Sequence, residues 1–123
     1  MSQDIVADTL NQIMNAKKAR KTEVVVNKNS KLLRNILDMA KKDGYLDYSV
    51  DGNKITIQII KVNEIKAIKP RYTFSIKKIN KYVERYLPAK NFGFIIVSTN
   101  QGLMKHTDAK EQNLGGCLVA YIF

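Results

Sequence analysis

Ser98-Thr99-Asn100-Gln101-Gly102 sets two hydroxyls, two side-chain amides and a glycine in five consecutive positions. Hydroxyls and amides both donate and accept hydrogen bonds, so this segment can pair with polar groups of either sense while carrying no charge. Thirteen positions beyond Gly102, Gly115-Gly116 offers bare backbone with no side chain in the way. Such groups can read base edges and sugar hydroxyls, provided that cations elsewhere hold the phosphates. A structural reading stands beside this one. A strand that ends in Ser-Thr-Asn makes a side-chain-supported turn, and glycines serve positive φ or the close approach of another backbone.

A nucleophilic set can also be written from Ser98, His106 and Asp108. Ser98 lies in Val-Ser-Thr rather than in the G-x-S-x-G elbow that exposes a hydrolase serine. His106 and Asp108 are two residues apart at a helix start, where the carboxylate is better used capping backbone amides. Gly115-Gly116 is not followed by the Lys-Ser/Thr of a phosphate-binding loop. One histidine and one cysteine do not make a structural zinc site, and one cysteine makes no internal disulfide. The chain is therefore expected to need no metal or other cofactor and to be no enzyme. Cys117 begins an apolar strand and reads as a buried structural thiol.

The cations are bunched. Of 21 basic and 11 acidic residues, nine basic and two acidic fall in residues 17–42, and eight basic and one acidic in residues 66–90. Each of those segments carries +7, while residues 91–123 sum to zero. Two separate basic segments on one small fold point to a polyanion gripped at two places. Lys69, Arg71 and Arg85 are the cations expected to meet phosphates beside the neutral rim. Tyr86 and Phe92 can stack on an unpaired base, although aromatics at helical spacing more often belong to a core.

These groups need elements to carry them. Val6, Leu10, Ile13 and Met14 recur at helical spacing, with Ser2 or Asp4 as the cap. Glu23-Val24-Val25-Val26 predicts a buried strand. Ser30 caps a second helix with a stripe of Leu33, Ile36, Leu37 and Ala40, stopped by Gly44. The period then changes to two through Tyr45–Val50 and Lys54–Ile59, a hairpin turning at Asp51-Gly52-Asn53. Past Ile65 the chain enters a second lobe. There we expect a strand over 72–76, a helix from Ile79 to Tyr86 ended before Pro88, and a strand over 94–97. A short helix capped by Thr107 or Asp108 runs to about Gln112, Asn113 takes its left-handed stop, and the last strand covers 118–123. The fold class is α+β in two small lobes, residues 1–66 (α-β-α-β-β) and 67–123 (mostly antiparallel β with short helices). A hydrophobic content of 45% supplies a core for one such domain. The opening residues show no secretory signal, and no apolar run reaches 18, so the expectation is a cytoplasmic chain with no membrane partner.

The motifs are similar to those of a known family across nearly the whole length. Asp4-x-x-Ala7-x-x-Leu10-x-x-Ile13-x-Asn15-Ala16, Ser30-Lys31-Leu32 and Gly44-Tyr45 resemble the first two helices of the small-subunit ribosomal protein eight family. More specific are Leu87-Pro88-Ala89-x-x-Phe92-Gly93, Ile96-Val97-Ser98-Thr99-x-Gln101-Gly102 and Gly115-Gly116, in the archaeal and eukaryotic form. Cys117, where a charged residue is common, and Asn113, where glycine is usual, depart from the pattern. The resemblance implies a primary binder of central-domain small-subunit rRNA that aids subunit assembly. Ser98, Thr99 and Asn100 would contact an irregular helix with unpaired bases, Gly102 would shape the loop, and Gly115-Gly116 would admit a close backbone. Lys31 and the first helix would support a second rRNA contact. The implied partners are rRNA and neighbouring ribosomal proteins on the ribosome, with the free protein a monomer. A repressor of its own messenger RNA, imitating the rRNA site, would use the same surface. An RNA-processing enzyme built on His106 and Asp108 is the rival of another class.

Overall fold

A computed structural model describes residues 5–27, 30–68, 72–89 and 92–123. The chain divides into two units, Met1–Ile65 and Lys66–Phe123. The first contains α1 (Ile5–Lys18), β1 (Glu23–Val26), α2 (Lys31–Lys42), β2 (Leu46–Asp51) and β3 (Lys54–Ile59). The strands form an antiparallel sheet ordered β1-β3-β2. Their alternation puts Leu46, Ile55 and Ile57 on a buried face, against the helix stripes Leu10, Ile13, Leu33, Ile36 and Leu37. Side chains of that size each contribute about 1.5–3 kcal/mol on full burial.

Local chemistry sets the helix ends. The Ser30 hydroxyl accepts from Leu33 N–H at 3.1 Å, capping α2. At the other end Gly44 takes φ +79°. Its N–H reaches Lys41 O and that of Tyr45 reaches Ala40 O, the crossed pair of a Schellman stop. The Tyr48 hydroxyl donates to Asp38 and ties β2 to α2. Its pKa is pushed up to about 12, by desolvation first and then by that hydrogen bond. The proposed caps Ser2 and Asp4 lie outside the described residues. β1 corrects one expectation. It pairs with β3 alone, so it is an edge strand, and Val25 is 52% exposed.

The second unit holds β4 (Ile65–Ala67), β5 (Thr73–Phe74), a 3₁₀ turn at Ile76–Lys78, α3 (Ile79–Tyr86), β6 (Phe94–Thr99), β7 (Gly102–Lys105), α4 (His106–Glu111) and β8 (Gly116–Ile122). Strand order is β4-β8-β6-β7, and β5 also pairs with β8. Ile79, Leu87, Ile95, Val97, Ala109, Leu118 and Tyr121 close its core. The α+β class holds, with these local differences. The strand expected over 72–76 shrinks to two residues because Ile76 enters the 3₁₀ turn. The polar stretch after Gly102 is itself a strand. Helix α4 starts at His106 after Lys105, with no side-chain cap, so Thr107 and Asp108 lie inside it. Asn113 does take positive φ, at 57°, ending α4 with the same crossed hydrogen bonds as α2.

Candidate nucleic-acid interface

Strands β6 and β7 pair antiparallel from Ile96↔Lys105 to Thr99↔Gly102, which leaves Asn100-Gln101 as the turn. The Thr99 hydroxyl donates to Gly102 O and accepts from Gln101 N–H, both at 3.1 Å. It therefore staples the turn. Gly102 carries the positive φ, 109°, that closes the hairpin, and a side chain there would meet nothing within 4 Å. Ser98, Asn100, Gln101 and Gly102 are exposed. The Ser98 hydroxyl has no hydrogen-bond partner among the described residues, so it stays available to a ligand.

Strands β6 and β8 are neighbours, with Ser98 opposite Cys117. This ladder places the hairpin end beside the double glycine. A Cβ on Gly116 would stand 2.1 Å from Ser98 O and 3.2 Å from Thr99 Cα, and one on Gly115 would stand 2.9 Å from Phe74 O. Both glycines thus admit the protein's own backbone, β6 on one side and β5 on the other. Thr73 and Phe74, to which the sequence reading gave no role, flank the site through the pairs Thr73↔Cys117 and Phe74↔Gly116. The only advance signal for them was β propensity. Cys117 is half-buried rather than buried, because it sits at the exposed start of β8.

The remaining residues of the expected set lie elsewhere. Tyr86 stacks on Tyr121 at 5.4 Å between ring centroids. Tyr121 pairs with Ile95, three residues back along β6 from Ser98, or roughly 10 Å at the rise of a strand. The Arg85 guanidinium lies over the rings of Tyr72 and Tyr86, at 5.7 and 5.5 Å. Phe92 is 48% exposed and tilts against Phe123 at 6.0 Å. Lys31 is exposed at the start of α2, in the first unit. Lys69 and Arg71 lie outside the described residues. Lys17, Lys18, Arg20 and Lys21 are exposed in the first unit, and Lys66, Lys77, Lys78 and Lys81 in the second. Among the described residues no group of three His, Cys, Asp or Glu could hold a metal ion, and no helix is long and apolar enough to cross a membrane.

His106 is buried, and its Nδ1 accepts from Ile95 N–H at 3.0 Å. It serves as a bracket between α4 and β6. Burial lowers its pKa below the ordinary 6.5, and a nitrogen that accepts a hydrogen bond carries no proton. The folded protein thus binds fewer protons here than the unfolded chain. The stability this gives is full above about pH 6.5 and is lost as pH falls toward the folded pKa. Unfolding free energy measured from pH 8 to 5 should fall below pH 6.5 for the wild type. For His106→Asn, which keeps an acceptor but does not titrate, that component should vanish. Parallel curves would remove His106 from the account.

The comparisons with known proteins agree with one another. The family model for ribosomal protein S8 matches residues 4–123. The chain is 38% identical to small ribosomal subunit protein uS8 of Nanoarchaeum equitans over 129 residues, all of both chains. It is 36% identical to that of Pyrobaculum neutrophilum and 34% identical to that of Caldivirga maquilingensis. Each of these two alignments spans 126 residues, 98% of this chain and 97% of the relative.

Proposed function

The chain belongs to the ribosomal protein S8 family, a structural component of the small ribosomal subunit, and from that premise we propose that it is a primary rRNA binder. It holds an irregular helix of central-domain small-subunit rRNA and so aids assembly of the subunit. Affinity comes from the exposed lysines and arginines. Selectivity comes from the β6–β7 hairpin end and its double-glycine neighbour. The observation that carries this reading is the exposed, uncharged hairpin end at Ser98–Gly102, with one hydroxyl fixed inside the turn and the adjacent one unengaged.

The two hydroxyls have different duties, so their removal should read differently. Ser98→Ala deletes a direct contact, and its rRNA affinity should fall about ten-fold, the worth of about one hydrogen bond, with unchanged thermal stability. Thr99→Ala releases the turn and should weaken binding through hairpin shape. Thr99→Ser should restore most of the loss. Filter binding on a small-subunit rRNA fragment checks these values, and footprinting of the pure protein locates the contact. If Ser98→Ala and Thr99→Ala together bind as tightly as wild type, the hairpin is not the reader.

A further inference from the structure

A cavity of about 350 Å³ lies between α3 and α4, away from the hairpin turn, with His106 at its border. Its apolar wall is Val83 and Leu87, continued by Pro88, and its polar residues are Asn80, Glu84, His106, Thr107 and Lys110. Asn80, Val83 and Glu84 follow i, i+3, i+4 and so form one face of α3, and Leu87 follows as the extended residue that caps the helix. The volume is at the low end for small-molecule sites and suits a single heterocycle rather than a long ligand.

The polar groups define what that heterocycle must offer. Nδ1 of His106 is turned to Ile95 N–H, so the neutral ring carries its proton on Nε2, which has no hydrogen-bond partner among the described residues. Lys110 Nζ donates to Asn80 Oδ1 at 2.9 Å and retains two further N–H groups. Glu84 is exposed and forms no ion pair among the described residues. One ammonium and one carboxylate leave the border near neutral, whereas residues 66–90, which supply its α3 side, carry +7 in all. A phosphate would find better sites elsewhere on this unit. A neutral ring with two adjacent N–H groups at one edge and acceptors at another matches both halves.

Resting on the reading of this chain as an rRNA binder, we infer that the α3–α4 cavity receives an unpaired guanine base of the bound RNA. Glu84 accepts from guanine N1–H and the exocyclic amine together. Nε2–H of His106 and the Lys110 ammonium donate to O6 and N7, and Val83 and Leu87 cover a ring face. Adenine, cytosine and uracil each set an acceptor beside their Watson–Crick N–H group, against which a carboxylate is repelled.

The test is an amide NMR titration of the full chain with guanosine 5′-monophosphate, using the other three mononucleotides and ribose 5-phosphate as controls. A second arm uses an RNA duplex with one bulged guanosine or one bulged adenosine. Saturating shifts at Asn80, Val83, Thr107 and Lys110 are expected with the guanine ligands, and affinity about ten-fold or more weaker with the others. Glu84→Gln, at an exposed position, should erase the preference. Equal shifts from all four mononucleotides, or from ribose 5-phosphate, would overturn the assignment. So would a guanine preference seen with the mononucleotide and absent from the bulged duplex, which makes the ligand a free nucleotide. Ser98→Ala should leave the guanosine shifts intact while lowering rRNA affinity, so failure of the hairpin reading and failure of the cavity reading give different results.

Discussion

Gly116→Ala should lose about 1–3 kcal/mol of stability through overpacking, and Gly93→Ala more. A methyl group on Gly116 would stand 2.1 Å from the Ser98 carbonyl oxygen. That oxygen is backbone in the β6–β8 ladder, so no flexible side chain can swing aside. Gly93 combines two penalties. Its φ is +83°, and a Cβ there would stand 2.2 Å from Ile122 O and 2.5 Å from Phe123 Cβ. Adopting that backbone conformation costs a residue with a side chain roughly 1–2 kcal/mol before any clash is added. Gly102→Ala separates the two effects, since its φ is +109° with open space around it. Its loss should be confined to the backbone cost, about 1–2 kcal/mol. Chemical denaturation of the three variants gives the ranking, with Gly93→Ala the least stable. Gly116→Ala should also lower rRNA affinity beyond its effect on folding, because the displaced backbone is Ser98–Thr99 itself. If Gly116→Ala were as stable as wild type, β6 and β8 could not lie as close as the ladder places them.

These glycines show what a sequence conveys and what it withholds. Gly115-Gly116 could be recognised as important, but the identity of the approaching backbone depends on register. A ladder one residue out would have left Gly116 facing another partner. The second helix and the Gly52 hairpin were legible because cap, stripe and turn agree within each element. Strand β7 was not. Gly102–Lys105 is four residues long with only Leu103 and Met104 apolar, too short for a period to emerge. Arg20 was hidden for another reason. It takes φ +62° at the end of α1, where glycine or asparagine is the usual signal. Within the site, the hydroxyl and amide chemistry of residues 98–102 could be read directly. The use of the Thr99 hydroxyl inside the turn could not, since it follows from a turn of only two residues. The α3–α4 cavity was invisible for a similar reason. Asn80 and Lys110 are 30 residues apart, and only the packing of two helices brings them together.

Salt should weaken rRNA binding far more than any single substitution does. If about 6–10 cations neutralise phosphates, affinity falls about 10³–10⁵-fold between 50 and 200 mM monovalent salt. Lys77, Lys78 and Lys81 are suited to test this, being exposed at the 3₁₀ turn and the start of α3. Replacing all three with alanine should lower the slope of log affinity against log salt by up to about one per lost contact. Arg85 is a poorer probe, because its guanidinium also covers two tyrosine rings and truncation would disturb packing. Ser98→Ala provides the orthogonal measurement. It removes an uncharged group, so affinity should drop at every salt concentration with the slope unchanged. Binding isotherms at five salt concentrations for wild type, the triple-alanine variant and Ser98→Ala would separate the two effects. A steeper cost for Ser98→Ala at low salt than at high salt would mean that the hydroxyl acts by orienting a cation. A slope untouched by the triple substitution would move the phosphate contacts to the other exposed basic groups, Lys17, Lys18, Arg20 and Lys21 of the first unit. The physical distinction is between displaced counterions, whose free energy depends on bulk salt, and a hydrogen bond formed locally, whose free energy does not.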